Sequence, residues 1–346
     1  MSQLHNHTEK RTLRQQLHAV PQNRLTLSFY KYYQITNPQE FRDSLYKSWS
    51  AMNVLGRVYV AHEGINAQIS IGKEQLEAFR KSLYSIHLLQ GVRLNIAIED
   101  DGKSFFMLKI QVKKKIVADG LEDESFDVTR SGQQVSASEF NAIADDPNTI
   151  VVDMRNHYES EVGHFQHAIC PDVDTFMQAL PAVEKLLENK KENNIVMYCT
   201  GGIRCEKASA WMKHRGFKKV FQLDGGIIEY ARQVKLTGEE NKFFGKNFVF
   251  DERLGERISK EIISVCHQCG KPSDTHINCT NEGCHLLFIQ CDECARKFNG
   301  CCSNTCQQIA AMPLEAQKEL RKGKAQGRMV YKKGRSENIK YKSKTQ

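Results

Sequence analysis

The residues best able to do chemistry lie in one short run, Cys199-Thr200-Gly201-Gly202-Ile203-Arg204. It follows a strand-like segment, Asn194 to Tyr198, and precedes a helix-like segment that starts at Cys205. In a parallel α/β unit this is the carboxyl end of a strand, where ligands bind. Gly201 and Gly202 let the loop curl so that backbone N–H groups point inward. With the helix N-terminus they would stabilise an anion at the loop centre. The same field lowers a thiol pKa, and the thiolate is the reactive form. Cys199 is thus the candidate nucleophile, Thr200, Gly201, Gly202 and Ile203 shape the anion cradle, and Arg204 adds charge or holds its form. A lone cysteine would more often be inert packing; strand, Cys, Gly-Gly, Arg and helix together favour reactivity. Cys205 is either a second, resolving thiol or a small packing residue on the first helical turn.

A second group of candidate ligands lies further on. Of twelve cysteines, Cys170, Cys199 and Cys205 are central, and nine fall between Cys266 and Cys306. The spacing is Cys266-x2-Cys269-x9-Cys279-x4-Cys284-x6-Cys291-x2-Cys294-x6-Cys301-Cys302-x3-Cys306, with His267, His276 and His285 interleaved. Two C-x2-C pairs suit zinc, since each can bite one ion from a tight turn. Nine thiols complete two tetrahedral sites with one left over, paired sequentially or crossed. Structural zinc is the expectation, with reduced thiols or an iron–sulfur site as the alternatives. Four thiolates would leave no open position for catalysis.

These residues need elements to position them. Leu25 to Tyr33 reads as a strand, Asn37 to Met52 as a helix, Gly56 to Ala61 and Ile65 to Ile71 as strands joined by His62-Glu63-Gly64. Gly72 to Ser85 is again helical, Val92 to Ile98 alternates like a half-buried strand, and Phe105 to Val112 can add another. The order β-α-β-β-α-β predicts a ferredoxin-like domain over residues 25–117, after a polar lead-in at 1–24. His62 and Glu63 are read as a hairpin turn in preference to site residues. A polar stretch at 118–148 reads as a linker with a short helix near Ser136 to Ala144. Strands alternating with helices predict a parallel α/β domain over 149–237. The cysteine-rich segment spans 238–312, and a basic tail, 313–346, is expected to be disordered.

The net charge of +8 belongs to that tail, which holds eleven Lys and Arg against three Glu. With Tyr331 and Tyr341 it suits a polyanion such as RNA, or simply solubilises the chain. No apolar run approaches the ~18 residues of a membrane helix. The N-terminus lacks the apolar stretch of a signal peptide. The expectation is a cytosolic protein with no membrane partner, in which cysteines stay reduced.

Cys-x4-Arg after a strand resembles the active loop of rhodaneses. Asp153-Met154-Arg155, Glu159 and Gly163-His164 resemble their D-x-R-x-x-x-E-x-x-x-G-H entry pattern, and Leu223-Asp224-Gly225-Gly226 their closing L-x-G-G. Cysteine phosphatases place Arg one position later, where this chain has Cys205. The extended loop Cys199 to Ser209, the segment Ala61-His62-Glu63-Gly64-Ile65-Asn66-Ala67 and the cysteine-rich region resemble the bacterial oxygen-dependent tRNA uridine hydroxylases. That resemblance implies conversion of the wobble uridine of certain tRNAs to 5-hydroxyuridine, with O2 as co-substrate and a reductant that the sequence does not name.

Within that reading Cys199 either adds to C6 of uracil as a thiolate or carries the reacting atom as a persulfide or oxidised sulfur. Two other functions fit the residues. A sulfurtransferase would use Cys199 as a persulfide carrier, and a non-catalytic adaptor would bind RNA through the cysteine-rich segment and tail. The sequence names no protein partner.

Overall fold

The structure, a computed structural model, describes residues 10–19, 23–123, 125–323 and 333–343. The polar lead-in contains a helix, α1 (Lys10–Ala19), on which Leu17 is buried.

The first domain follows the expected order: β1 (Arg24–Tyr32), α2 (Pro38–Ala51), β2 (Leu55–Ala61), β3 (Gly64–Gly72), α3 (Leu76–Tyr84), β4 (Asn95–Ile96) and β5 (Leu108–Val112). The sheet order is β4-β1-β3-β2-β5. Its first four strands are antiparallel, and β5 joins the edge parallel to β2. Helix α2 starts where its sequence says it should: the Asn37 side chain accepts from Glu40 N, and Pro38 occupies the first turn. Alternation along the strands sorts the two faces. Leu27, Phe29, Val58, Val60, Ala67 and Ile69 pack with Leu45, Trp49, Phe79 and Leu83 of the helices. Ser28, Tyr30, Arg57, Tyr59, Asn66 and Gln68 take the opposite face, which lines a cavity towards the second domain.

The second domain contains β6 (Gln133–Val135), α4 (Ala137–Ala144), β7 (Thr149–Asp153), α5 (His157–Ser160), β8 (Gly163–Phe165), α6 (Phe176–Leu186), β9 (Asn194–Tyr198), α7 (Ile203–His214), β10 (Lys219–Leu223), α8 (Gly226–Thr237) and β11 (Phe243–Asn247). The parallel sheet runs β6-β10-β9-β7. Its two cores lie on opposite faces. Phe176, Leu180, Ala208 and Met212 fill one, and Phe140, Ile227, Tyr230 and Phe243 the other. The domain is therefore wider than the 149–237 read from the sequence. The second half of the supposed linker supplies β6 and α4, and Ser136 and Glu139 form a capping box there. Beyond residue 237, β11 pairs with β8, and Phe243 is fully buried in the same core.

The remainder holds β12 (Glu256–Arg257), β13 (His276–Asn278), β14 (Leu287–Ile289), α9 (Asp292–Phe298), α10 (Asn304–Ala310) and α11 (Leu314–Arg321). The basic tail does not behave as a free chain over its described residues. It begins with α11, and residues 333–343 fold back on the body as a strap. Gly334 N donates to Leu287 O at 2.9 Å, and Lys340 N and Tyr341 N donate to His267 O. Arg335 pairs with Asp172 and Asp174, and Ile339 packs against the cysteine-rich core. Charge alone suggested disorder because these anchors are distant in sequence. Tyr341 is half exposed, and Tyr331 lies outside the described residues. Among the described residues no helix is long and apolar enough to cross a membrane.

Candidate active site at the Cys199 loop

Cys199 stands directly after β9, and its side chain is fully buried. The loop closes tightly enough for Gly202 N to donate to Cys199 Sγ at 3.2 Å. Gly202 has φ of 99°, and a Cβ there would lie 2.8 Å from the Tyr30 hydroxyl, so glycine is required twice over. Gly226 has the parallel role in the closing motif. A Cβ on it would meet Cys199 O at 2.5 Å. Its absence lets Ile227 N and Ile228 N donate to Cys199 O and Thr200 O.

Burial by itself would raise the Cys199 pKa. The Cys205 thiol, the Arg204 guanidinium and the backbone N–H groups of Cys205 and Arg204 outweigh it and hold the group at about 6. Burial pushes the Cys205 thiol well up, as does the hydrogen bond it gives Cys199. Cys205 also packs in the second domain's core. Cys205 is thus a packing residue, as one of its two readings had it, and its thiol also donates to Cys199.

The entry motif buttresses this loop. Arg204 Nη1 and Nη2 donate to Glu159 Oε1 and Oε2 at 2.7 and 2.9 Å, a buried fork, and Nη2 also reaches Thr200 Oγ1 at 3.3 Å. Asp153 and Arg155 form a second buried pair, with Arg155 Nη2 on Asp153 Oδ2 and on Gly163 O at 2.6 Å each. That pair ties the end of β7 to β8. Arg204 therefore carries charge and fixes shape together.

Beyond the short loop, Glu206 and Lys207 dock the first domain, and Ser209 braces the loop within its own. Lys207 is buried and donates to both Glu63 oxygens, to Val117 O and to Asp119. Glu206 accepts from Gln134, Gln222 and Tyr30. Ser209 accepts from Gly132 N and donates to Gln222. Tyr32 donates to Ile203 O at 3.1 Å. Glu63 is more than a turn residue: besides Lys207 it accepts from Ile116 N at 2.7 Å.

Docking encloses a cavity of about 550 Å³ between the loop, the open face of the first sheet and the segment after β11. Cys199, Thr200, Gly201, Ile203 and Arg204 line it from one side, and Tyr30, Arg57, Tyr59, Asn66 and Gln68 from the other. Lys113, Lys115, Phe250 and Arg253 complete the wall. Apart from Cys199 and its loop, only Asn66, in the segment Ala61 to Ala67, lay in a motif picked out from the sequence. The available signal was the run of polar and aromatic residues on alternate positions of β1 and β2. A second cavity, of about 400 Å³, shares Tyr30, Asn95 and Gly201 with the first and adds Arg93, Gln134 and Glu206.

Eight of the nine clustered cysteines form two crossed sets. Cys266, Cys269, Cys291 and Cys294 form one, and Cys279, Cys284, Cys302 and Cys306 the other, with sulfurs within 4.8 Å of each other in each set. Cys301 belongs to neither. The Sγ···Sγ distances of Cys269 to Cys291, Cys284 to Cys302 and Cys302 to Cys306 are each 3.7 Å. A tetrahedron of thiolates about 2.3 Å from a zinc ion has an edge of about 3.8 Å, so the donor sets fit that ion. Two of the three interleaved histidines do other work: His267 contacts Glu161 at 3.0 Å, and His276 packs on Phe248.

The comparisons with known proteins divide the chain along the same lines. Residues 24–116 match the UPF0176 acylphosphatase like domain, residues 136–233 the rhodanese-like domain, and residues 244–307 the rhodanase C-terminal family. The first of these agrees with the ferredoxin-like reading. Among solved structures, a rhodanese-like domain from an Anabaena sp. protein aligns at 21% identity over 32% of this chain and 78% of its own, with a TM-score of 0.27. The tRNA uridine(34) hydroxylase of Enterobacter sp. (strain 638) is 54% identical over 97% of this chain and 96% of its own. The protein of that name from Cronobacter sakazakii is 53% identical over the same shares. At this identity over nearly the whole length of both proteins, this chain belongs to the tRNA uridine(34) hydroxylase family.

Proposed function

We propose that this protein is a cytoplasmic oxidoreductase that hydroxylates uridine 34 of tRNA at C5, with Cys199 as its nucleophile. The observation that carries the reading is a thiol held at about 6, on the wall of a cavity shared with the open sheet face of the first domain. A thiolate there adds to C6 of a uracil, which places electron density on C5. Dioxygen is the oxidant: one oxygen atom stays on C5 and the other leaves as water. An external two-electron donor of the thiol class supplies two electrons and two protons. Loss of the C5 proton then expels the Cys199 thiolate and restores the C5–C6 double bond. Arg204 and the loop N–H groups hold the sulfur as an anion before addition and after release.

The crossed thiol sets serve as two structural zinc sites. All-thiolate coordination leaves no open position, so the ions hold the third region together and take no part in the reaction. The cations around the cavity, together with the basic C-terminal region, support a polyanionic substrate.

The test is nucleoside mass spectrometry of tRNA from cells whose sole copy is Cys199→Ala. Loss of 5-hydroxyuridine is expected, and full retention would overturn the role of Cys199. Transfer of sulfur from thiosulfate by the purified protein, with tRNA nucleosides unchanged by its deletion, would favour the persulfide carrier instead.

A further inference from the structure

The open face of the first sheet carries side chains that the reaction at Cys199 does not use. Register pairs Tyr30 with Asn66 and Asn66 with Tyr59, so the two tyrosines share one face, two strands apart. At the usual strand spacing that is about 10 Å. Tyr30 belongs to the reactive end, since its hydroxyl crowds Gly202. Tyr59 lines the same cavity two strands further out, and Lys113 Nζ lies 5.6 Å from its ring centroid. Arg57, on the same strand and the same face, also lines the cavity. Lys113 opens the run Lys113-Lys114-Lys115; Lys115 is engaged by Asp119 and Leu121 O, whereas Lys113 is exposed.

Tyr30, beside Gly202, stands at the Cys199 end of the cavity, and Tyr59 lies two strands away from it. Sheet faces of this β-α-β-β-α-β kind bind single-stranded RNA by stacking successive bases on aromatic side chains, with cations following the backbone. The separation of the two tyrosines is one that a splayed dinucleotide step spans.

We propose that Tyr59, with Lys113 and Arg57, forms the subsite for one nucleotide next to the target uridine: the base stacks on Tyr59 and its phosphate meets the two cations. This rests on the tRNA reading above and specifies how that substrate is held.

Binding of a fluorescent anticodon stem-loop to the full chain tests it without requiring turnover. Tyr59→Ala should weaken binding about tenfold or more, and Tyr59→Phe should stay within about twofold. Lys113→Ala, at an exposed position that does not threaten folding, should weaken binding and lower the salt-dependence slope by about one. The stem-loop is then made abasic at position 33 or at position 35. At one of these the wild type should lose the affinity that Tyr59→Ala has already lost, so that the two proteins bind equally. If Tyr59→Ala binds like the wild type, or is weakened equally with every stem-loop, the subsite is refuted while the tRNA reading stands. If the wild type binds the stem-loop no better than an unrelated hairpin, both fall.

Discussion

Lys207 Nζ lies 2.8 Å from Glu63 Oε2, which joins helix α7 of the second domain to the β2–β3 turn of the first. The ammonium is almost fully buried and also meets Asp119, whose carboxylate is equally buried. With Lys115, which also pairs with Asp119, two cations thus balance two carboxylates at the seam that closes the cavity. Removing Lys207 leaves Glu63 without its cation and the buried Asp119 with Lys115 alone, and breaking a buried pair of this kind costs up to about 3–5 kcal/mol. Lys207→Met is therefore expected to lower the urea midpoint strongly and to abolish tRNA hydroxylation. Glu63→Gln, at a carboxylate one-quarter exposed that retains an acceptor, should do much less to the midpoint. Equal midpoints for Lys207→Met and wild type would remove the seam from the account.

The Cys199 pKa of about 6 has a direct consequence. The thiolate fraction rises as pH increases through 6 and is nearly complete at neutral pH. Alkylation of Cys199 by iodoacetamide should inflect near pH 6, well below the ~8.5 of an unperturbed thiol. Cys205→Ala deletes the thiol that donates to Cys199, so the inflection should move upward. The pH dependence of uridine hydroxylation should move with it. Peptide mass spectrometry of the alkylated protein across pH checks both, and an unperturbed inflection in the wild type would remove the electrostatic role of the loop.

Local patterns carried much of this structure in readable form. The strand–Cys–Gly-Gly–Arg–helix order located Cys199, and the β-α-β-β-α-β order of apolar segments predicted the first domain. The family resemblance connected Glu159 with the loop but not with Arg204; their fork joins residues 45 positions apart. What local patterns could not carry were contacts between domains. Glu63 looked like a turn because its partner, Lys207, is 144 positions away. Gln133–Val135 is too short to show alternation, and becomes a strand only because β10 offers it an edge. The crossed pairing of the thiols was likewise invisible, since spacing alone permits both arrangements. The tail looked disordered from charge because Asp172 and Asp174, which hold Arg335, lie in another domain.

The returning strap covers one residue that lines the Cys199 cavity, Phe250, and its neighbour Tyr158. Lys333 Nζ sits 4.8 Å from the Tyr158 ring centroid and 5.1 Å from that of Phe250, and Phe250 faces the cavity. Arg335 and its partners are partly exposed, and surface pairs of this kind contribute at most about 1 kcal/mol. Arg335→Ala should therefore leave the urea midpoint almost unchanged. A chain ending at residue 332 should lose most hydroxylation activity, because Tyr158 and Phe250 lose their cover. Full activity of the truncated chain in a tRNA nucleoside assay would show that the strap only packs.

The crossed thiol sets predict a stoichiometry and separate roles for nine cysteines. The purified protein should contain two zinc ions per chain by elemental analysis. Cys301→Ser should retain both, because Cys301 belongs to neither set. Cys269→Ser and Cys306→Ser should each lose one, from different sets. Sequential pairing would instead place Cys266, Cys269, Cys279 and Cys284 on one ion, so Cys269→Ser combined with Cys279→Ser distinguishes the arrangements. Crossed sites lose both ions in that double variant, and sequential sites lose one. Binding energy of structural zinc is folding energy, so chelation should unfold the third region. The strap should follow it, since Lys340 and Tyr341 hang from the carbonyl of His267, the residue after Cys266. Hydrogen exchange of residues 333–343 with and without chelator reads this coupling, and unchanged protection there would show that strap and metal sites are independent.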